Sequence, residues 1–235
     1  MIDLYGMGSP NVLKIVLMLE ELEADYRFHF VKVWSGQQHE PGFLRINPNG
    51  KTPVIVDPDG PGGSLTVFES GAILIYLAEK SGRFLPAAGA GRYEALQWLM
   101  IQLTGVGPMF GQYVHFTRFE PEVSAYATAR YTSEAIRLID LVEQRLSRQA
   151  FLGGDDYGIA DIATFPWFNN LAPMKLPLDR PNVARWVEAI RARPAAGRLA
   201  ARMAELAPIG AADMAEATPE DRDRMYGRGR FARTA

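Results

Sequence analysis

The stretch Gly6-Met7-Gly8-Ser9-Pro10-Asn11 places a hydroxyl and an amide where a short apolar run, Ile2 to Tyr5, gives way to a helical pattern of Val12, Ile15, Val16 and Leu19. Ser9 suits the N-cap and Pro10 the first helical position, where a missing N–H costs nothing. The unpaired N–H groups and partial positive charge of a helix N-terminus favour an anion. A thiolate brought by a ligand is one such anion. The plainer alternative is that Ser9 caps the helix and Asn11 is a polar first-turn residue. Gly6-x-Gly8 also invites a dinucleotide reading, with Asp25 downstream. Asn11 occupies the third glycine position, however, and the later strands turn back as a hairpin. Met7 stands where a nucleophile elbow around Ser9 would need glycine.

Two further stretches carry polar groups at element boundaries. Asn47-Pro48-Asn49-Gly50-Lys51-Thr52-Pro53-Val54 is a loop that feeds a strand through an X-Pro bond, and Phe68-Glu69-Ser70-Gly71-Ala72-Ile73 opens a helix. Tyr5, near the end of the first strand, either imitates a catalytic tyrosine or packs its ring; packing is the favoured reading. His29, His39 and His115 lack metal-ligand spacing, so no metal site is expected. The chain has no cysteine, which removes disulfides, thiolate metal sites and any protein-thiol nucleophile. Its 25 Lys and Arg against 27 Asp and Glu leave a net charge of -2, giving no electrostatic ground for a nucleic-acid or acidic-membrane partner.

These positions need a scaffold. At 235 residues, 48% apolar and 22% charged, the chain has globular composition and suits one large or two modest domains. Strand signals at Ile2–Tyr5 and at Tyr26, Phe28 and Phe30 flank the first helix. Val54-Ile55-Val56 and Leu65-Thr66-Val67 flank the turn-rich 57–63, and a helix runs from Glu69 to Lys80 before Gly82. The order βαβ-α-ββα over residues 1–86 predicts an α/β domain with a mixed four-stranded sheet, the thioredoxin-like pattern. Residues 87–91 read as a linker. Residues 92–208 read as an all-helical bundle domain, with Gly105-Val106-Gly107-Pro108 interrupting its first helix. Residues 209–235 read as a polar, solvated tail. The N-terminus lacks the basic region of a signal peptide and no stretch reaches the roughly 18 apolar residues of a membrane span, so a soluble, cytoplasmic protein is expected.

Taken in order, Ser9-Pro10-Asn11, Gln38, the 47–54 loop, Phe68 to Ile73 and Gly105-Val106-Gly107-Pro108-Met109-Phe110-Gly111-Gln112 resemble the cytosolic glutathione transferases, most of all the bacterial Nu class with its disulfide-reductase members. The likeness extends to about Pro208. It implies that Ser9 and Asn11 stabilise the thiolate of glutathione, bound as cosubstrate. It implies that Pro53 is a cis proline exposing the Thr52 main chain to the cysteinyl backbone, that Glu69 and Ser70 hold the γ-glutamyl end, and that Gln38 and Lys51 reach the glycyl end. Arg130, in Ala129-Arg130-Tyr131, matches an arginine that touches ligand beside the thiol. The thiolate would then attack a disulfide sulfur or an electrophilic carbon. With no protein cysteine, a second glutathione must resolve a mixed disulfide. Disulfide reduction is favoured, with β-ether cleavage and aryl conjugation open. The family likeness also implies a homodimer.

Trp98, Tyr113, Phe119, Trp167 and Phe168 read as core of the helical domain, some of them walling a second-substrate cavity alongside His115 and Phe116. Two departures from the family pattern stand out: Ser9 replaces Thr, and Gly158-Ile159-Ala160-Asp161 lacks the usual capping hydroxyl. The rival functions are a non-catalytic glutathione-binding or regulatory protein and, more distantly, an NAD-type Rossmann oxidoreductase.

Overall fold

A computed structural model describes residues 1–232. They form two compact units, Met1–Ile73 with the described residues from Gly197 onward, and Leu74–Ala196. In the first, β1 (Ile2–Gly6), α1 (Pro10–Leu22) and β2 (Tyr26–Phe30) make a parallel crossover unit. A short α2 (Pro41–Leu44) precedes β3 (Val54–Gly60) and β4 (Gly63–Phe68), and α3 (Ser70–Ser81) follows. The sheet order is β2-β1-β3-β4, with β1 parallel to β2 and antiparallel to β3. This is the expected mixed thioredoxin-like sheet, with a helical second unit beside it in sequence.

α1 shows why its sequence is so apolar. Every residue from Val12 to Leu19 is buried, Lys14 among them. Gly6 allows the helix to come close: a Cβ there would sit 2.5 Å from Val12 Cγ1. Strand-to-helix packing therefore accounts for the first glycine of the Gly6-x-Gly8 pair without a nucleotide.

The second unit contains α4 (Ala90–Ile101), α5 (Gly107–Val114), α6 (Ala125–Leu146), α7 (Ile159–Phe168) and α8 (Pro181–Arg191). The expected interruption at Gly105–Pro108 is instead a widening. Gln102–Val106 winds as π-helix between α4 and α5, and His115–Phe119 does so again after α5. Pro108 cannot donate to the helical ladder and its ring crowds the preceding turn, and a wider turn accommodates both defects without a break. Trp186, Phe165 and Phe168 pack as an edge-on aromatic cluster in this core, beside Phe110 and Trp167.

The segment after Pro208 is mostly exposed, as a polar tail would be, and is largely helical. α9 (Pro194–Glu216) continues through Pro208, and α10 (Pro219–Tyr226) follows. Asp213 is fully buried, its carboxylate accepting the Trp34 N–H at 3.0 Å, the Ser35 N–H at 3.2 Å and the Ser35 hydroxyl at 2.5 Å. Arg198 reaches Glu20 at 2.7 Å and the Arg202 guanidinium lies over the Tyr26 ring. The segment is anchored through one buried carboxylate, while most of its other polar side chains stay exposed. The expected linker shortens, since α4 begins at Ala90.

Candidate active site

Strand register brings the sequence motifs to one end of the sheet. Gly6 at the end of β1 faces Phe30 at the end of β2, Val54 at the start of β3 faces Tyr5, and Phe68 at the end of β4 faces Val54. The loops leaving this edge are therefore, in lateral order, the one carrying Gln38, then Ser9-Pro10-Asn11, then Lys51-Thr52-Pro53, then Glu69-Ser70. Loops at one end of a rigid sheet are where binding chemistry accumulates.

Ser9 occupies the N-cap position of α1 with extended backbone, yet its side chain makes no capping hydrogen bond. Ser9 is half-buried with no side-chain hydrogen bond, and Asn11, two residues on, is half-buried as well. The plainer alternative, in which the Ser9 side chain caps the helix, finds no supporting hydrogen bond. A hydroxyl at a helix N-terminus that does not cap is placed to donate to an anion.

The Thr52–Pro53 bond is cis. Its loop is braced internally: Asn47 Nδ2 donates to the Lys51 carbonyl at 2.6 Å, and Asn47 Oδ1 accepts the Asn49 N–H at 2.9 Å. Asn49 Nδ2 then donates to Glu69 Oε1 at 3.1 Å, tying this loop to the next one. Glu69 has a positive φ of 67°, a left-handed conformation that a non-glycine residue adopts only at a cost on the order of 1 kcal/mol, and such positions cluster at ligand sites. Ser70 is buried and accepts a hydrogen bond from Lys14 Nζ at 3.1 Å. Burial pushes the Lys14 ammonium down to about 7, partly offset by the Glu69 carboxylate nearby. Neither Lys14 nor Asn49 figures among the expected site residues. The signal for Lys14 was present, a lone lysine inside Val12-Leu13-Lys14-Ile15-Val16-Leu17 on a helix buried all round.

Gln38 and Lys51 line one cavity together with Thr52. Gln38 is 4% exposed, and its Oε1 has no hydrogen-bond partner. A buried amide oxygen without a donor is free to accept an N–H.

Arg130 is on α6 in the second unit, exposed, with Glu134 Oε2 3.5 Å away. The structure does not bring it to the four loops within one unit. Tyr5 is not set up as an acid: its ring stacks on His29 at 4.5 Å, and burial with Asp3 nearby raises its hydroxyl pKa. His29 in turn meets Asp3 at 2.7 Å. Trp167 and Phe168 are buried core, and Trp98 lies beneath Arg145. Phe119 lies beneath Arg118. Tyr113 lines a cavity of about 450 Å³ in the second unit with Arg118 and Met174, to whose carbonyl its hydroxyl donates at 2.9 Å. His115 and Phe116 pack edge to face on each other and are not in its lining.

Among the described residues no group of three or more His, Cys, Asp or Glu could hold a metal, and no helix is long and apolar enough to cross a membrane.

Comparison with known proteins supplies the family. The N-terminal domain of glutathione S-transferase matches residues 1–79 and its C-terminal domain residues 125–189. The disulfide-bond oxidoreductase YfcG of Escherichia coli is 48% identical over 201 residues, spanning 84% of this chain and 94% of that protein. The chain belongs to the glutathione S-transferase family. Among solved structures, a glutathione transferase family member from Pseudomonas fluorescens with two glutathione bound matches with a TM-score of 0.80 and 42% identity, over 84% of this chain and 91% of its own. A glutathione transferase from Pseudomonas putida, with one glutathione disulfide bound per subunit, matches with a TM-score of 0.80 and 39% identity, over 84% and 90% of the two chains.

Proposed function

We propose that this glutathione S-transferase family member is a glutathione-dependent thiol–disulfide oxidoreductase that keeps the thiolate of its cosubstrate ionised beside Ser9 and Asn11. The observation that carries the reading is the Ser9 hydroxyl, seated at the N-terminus of α1 without a capping bond, in a chain with no cysteine of its own. An ordinary thiol has a pKa near 8.5, so little is ionised at neutral pH. Lowering it by roughly two units takes about 2.7 kcal/mol, within reach of two charge-assisted hydrogen bonds.

Glu69 and Ser70 would hold the γ-glutamyl end, with Lys14 and Asn49 fixing their orientation. The Thr52 main chain, exposed at Pro53, would pair with the cysteinyl backbone. Gln38 and Lys51 would take the glycyl end, where the unpaired Gln38 Oε1 fits an amide N–H. Arg130 would act from α6.

In the reaction, the bound thiolate attacks one sulfur of a substrate disulfide, forming a mixed disulfide and releasing the other half as a thiol once it gains a proton. A second glutathione attacks the mixed disulfide and leaves as glutathione disulfide, releasing the second thiol. The relatives support this stoichiometry: one holds two glutathiones and another holds one glutathione disulfide. YfcG carries the name of the same activity. The Nu class, a homodimer and a reducing cytoplasm are the setting this reading implies.

The test is a coupled assay in which a small dialkyl disulfide is reduced by glutathione and glutathione disulfide is followed. Turnover that rises with glutathione and falls at least tenfold in Ser9→Ala supports the reading. Tight glutathione binding with no turnover of any disulfide assigns the chain to the non-catalytic alternative, and turnover of an aryl halide alone assigns it to conjugation.

A further inference from the structure

The first unit holds a cavity of about 840 Å³ whose walls come from two stretches far apart in sequence. Gln38, Lys51 and Thr52 form one side, and Arg224, Arg230 and Phe231 from the C-terminal stretch form the other. This C-terminal stretch is well anchored. Thr218 and Asp221 cap α10 reciprocally, with Asp221 N–H donating to Thr218 Oγ1 at 3.1 Å and Thr218 N–H to Asp221 Oδ2 at 3.0 Å. Gly227 ends the helix in the left-handed conformation, φ 64°, that glycine adopts freely. Arg224 spans from the Phe231 ring, 5.0 Å beneath its guanidinium, to Gly36, where a Cβ would lie 3.4 Å from Arg224 Nη1. Gly36 belongs to the loop that carries Gln38, and Asp213 on α9 pins that same loop at Trp34 and Ser35.

The charges facing this cavity are unbalanced. Lys51, Arg224 and Arg230 are cationic. On the arginine side Glu220 lies 3.7 Å from Arg224 and is paired with Arg230, and the Asp221 carboxylate also lies within the field of Arg224, while among the described residues no carboxylate lines the cavity itself. Burial, together with Lys51 and Arg224, holds the His39 pKa below its ordinary value. The surplus positive charge calls for an anion, and the buried, unpartnered Gln38 Oε1 calls for an N–H donor. The C-terminal residue of a peptide offers both at adjacent positions.

We propose that Arg224 and Arg230 are specificity-determining residues: with Lys51 they bind the terminal carboxylate of the peptide thiol, while Gln38 Oε1 accepts from its terminal amide N–H. The inference rests on the reading of this chain as a glutathione-binding enzyme. On this account α10 and the turn after it close the glycyl side of the ligand site and select a thiol whose free carboxylate is carried on a glycyl residue beyond the cysteine.

Calorimetry on the full chain separates this inference from the function it rests on. The ligands are reduced glutathione, γ-glutamylcysteine, which lacks the glycyl residue, and the glycyl ethyl ester of glutathione. The unaltered protein is expected to bind glutathione about tenfold tighter than either analogue, the scale of one or two partly exposed charge-assisted pairs. Arg224→Met with Arg230→Met is expected to weaken glutathione roughly threefold to tenfold and leave γ-glutamylcysteine unchanged, and Arg224→Lys with Arg230→Lys to recover most of the loss. Equal weakening of all three ligands would show a structural role only and overturn the inference, as would no weakening at all. Should the methionine variant fail to fold, the ester on the unaltered protein decides: binding as tight as glutathione overturns the proposal. Failure of the unaltered protein to bind any of the three instead overturns the glutathione reading itself.

Discussion

Lys14 Nζ donates to Ser70 Oγ across 3.1 Å, joining the buried face of α1 to the first residue of α3, with both side chains shielded from water. A lysine in that position is costly to keep charged, and its pKa lies at about 7 in the fold against 10.5 in an unfolded chain. Between these values the unfolded chain binds more protons than the folded one, so stability rises with pH across the interval and is penalised below it. Lys14→Met should remove this dependence. Denaturation of both proteins at pH 6.5 and at pH 9 checks it: the variant is expected to gain relative to the parent at the lower pH and to keep a smaller share of that advantage at the higher. A pH-independent difference would contradict the account.

Gly158 occupies an N-cap where serine or threonine is ordinarily better, and the substitution Gly158→Ser should nonetheless destabilise. A Cβ at this position would meet the Phe84 carbonyl oxygen at 2.7 Å, while the Asp161 carboxylate already accepts the Gly158 N–H at 3.1 Å. We expect a loss of about 1 kcal/mol or more in chemical denaturation, against the gain of a few tenths that capping preference alone would give.

Asp161 itself is fully buried, where desolvation raises its carboxyl to about 6 against the lowering effect of its donors, Leu152 N–H and Trp186 Nε1, both at 2.8 Å, Gly158 N–H and its own main-chain N–H. The folded chain holds this proton more tightly than the unfolded one, so the contribution is present at low pH and lost as pH rises through about 6. Asp161→Asn turns an amide N–H₂ toward donors and should cost about 2–4 kcal/mol at pH 7, read from the denaturation midpoint.

Much of the fold was legible because it depends on local periodicity. The alternation at Tyr26, Phe28 and Phe30 and the turn residues between Val56 and Leu65 each map onto the strands found. The candidate site was legible as motifs, but the bonds that join them were not. Lys14 and Ser70 are 56 residues apart, and Asn49 and Glu69 are 20 apart, so no sequence window contains either pair. The anchoring of the C-terminal stretch was hidden for the same reason. Asp213 looks like a solvated charge until the Trp34 and Ser35 N–H groups, 179 and 178 residues earlier, are brought to it.

Asp213→Ala should therefore act at a distance. It leaves two main-chain N–H groups and the Ser35 hydroxyl without their shared acceptor, a loss of about 2–4 kcal/mol. Hydrogen exchange is the suitable measurement: protection is expected to fall in residues 33–39 and along α9 together. A change confined to α9 would show that Asp213 does not hold the Gln38 loop.

The most direct measurement is the thiol pKa of bound glutathione, followed by its ultraviolet thiolate absorbance as pH is varied, in the parent protein and in Ser9→Ala and Asn11→Ala. The account predicts a parent value about two units below the free thiol and a rise of about one unit in each variant. A bound thiol that titrates at the value of free glutathione in the parent, or the same depressed value in all three proteins, would contradict it.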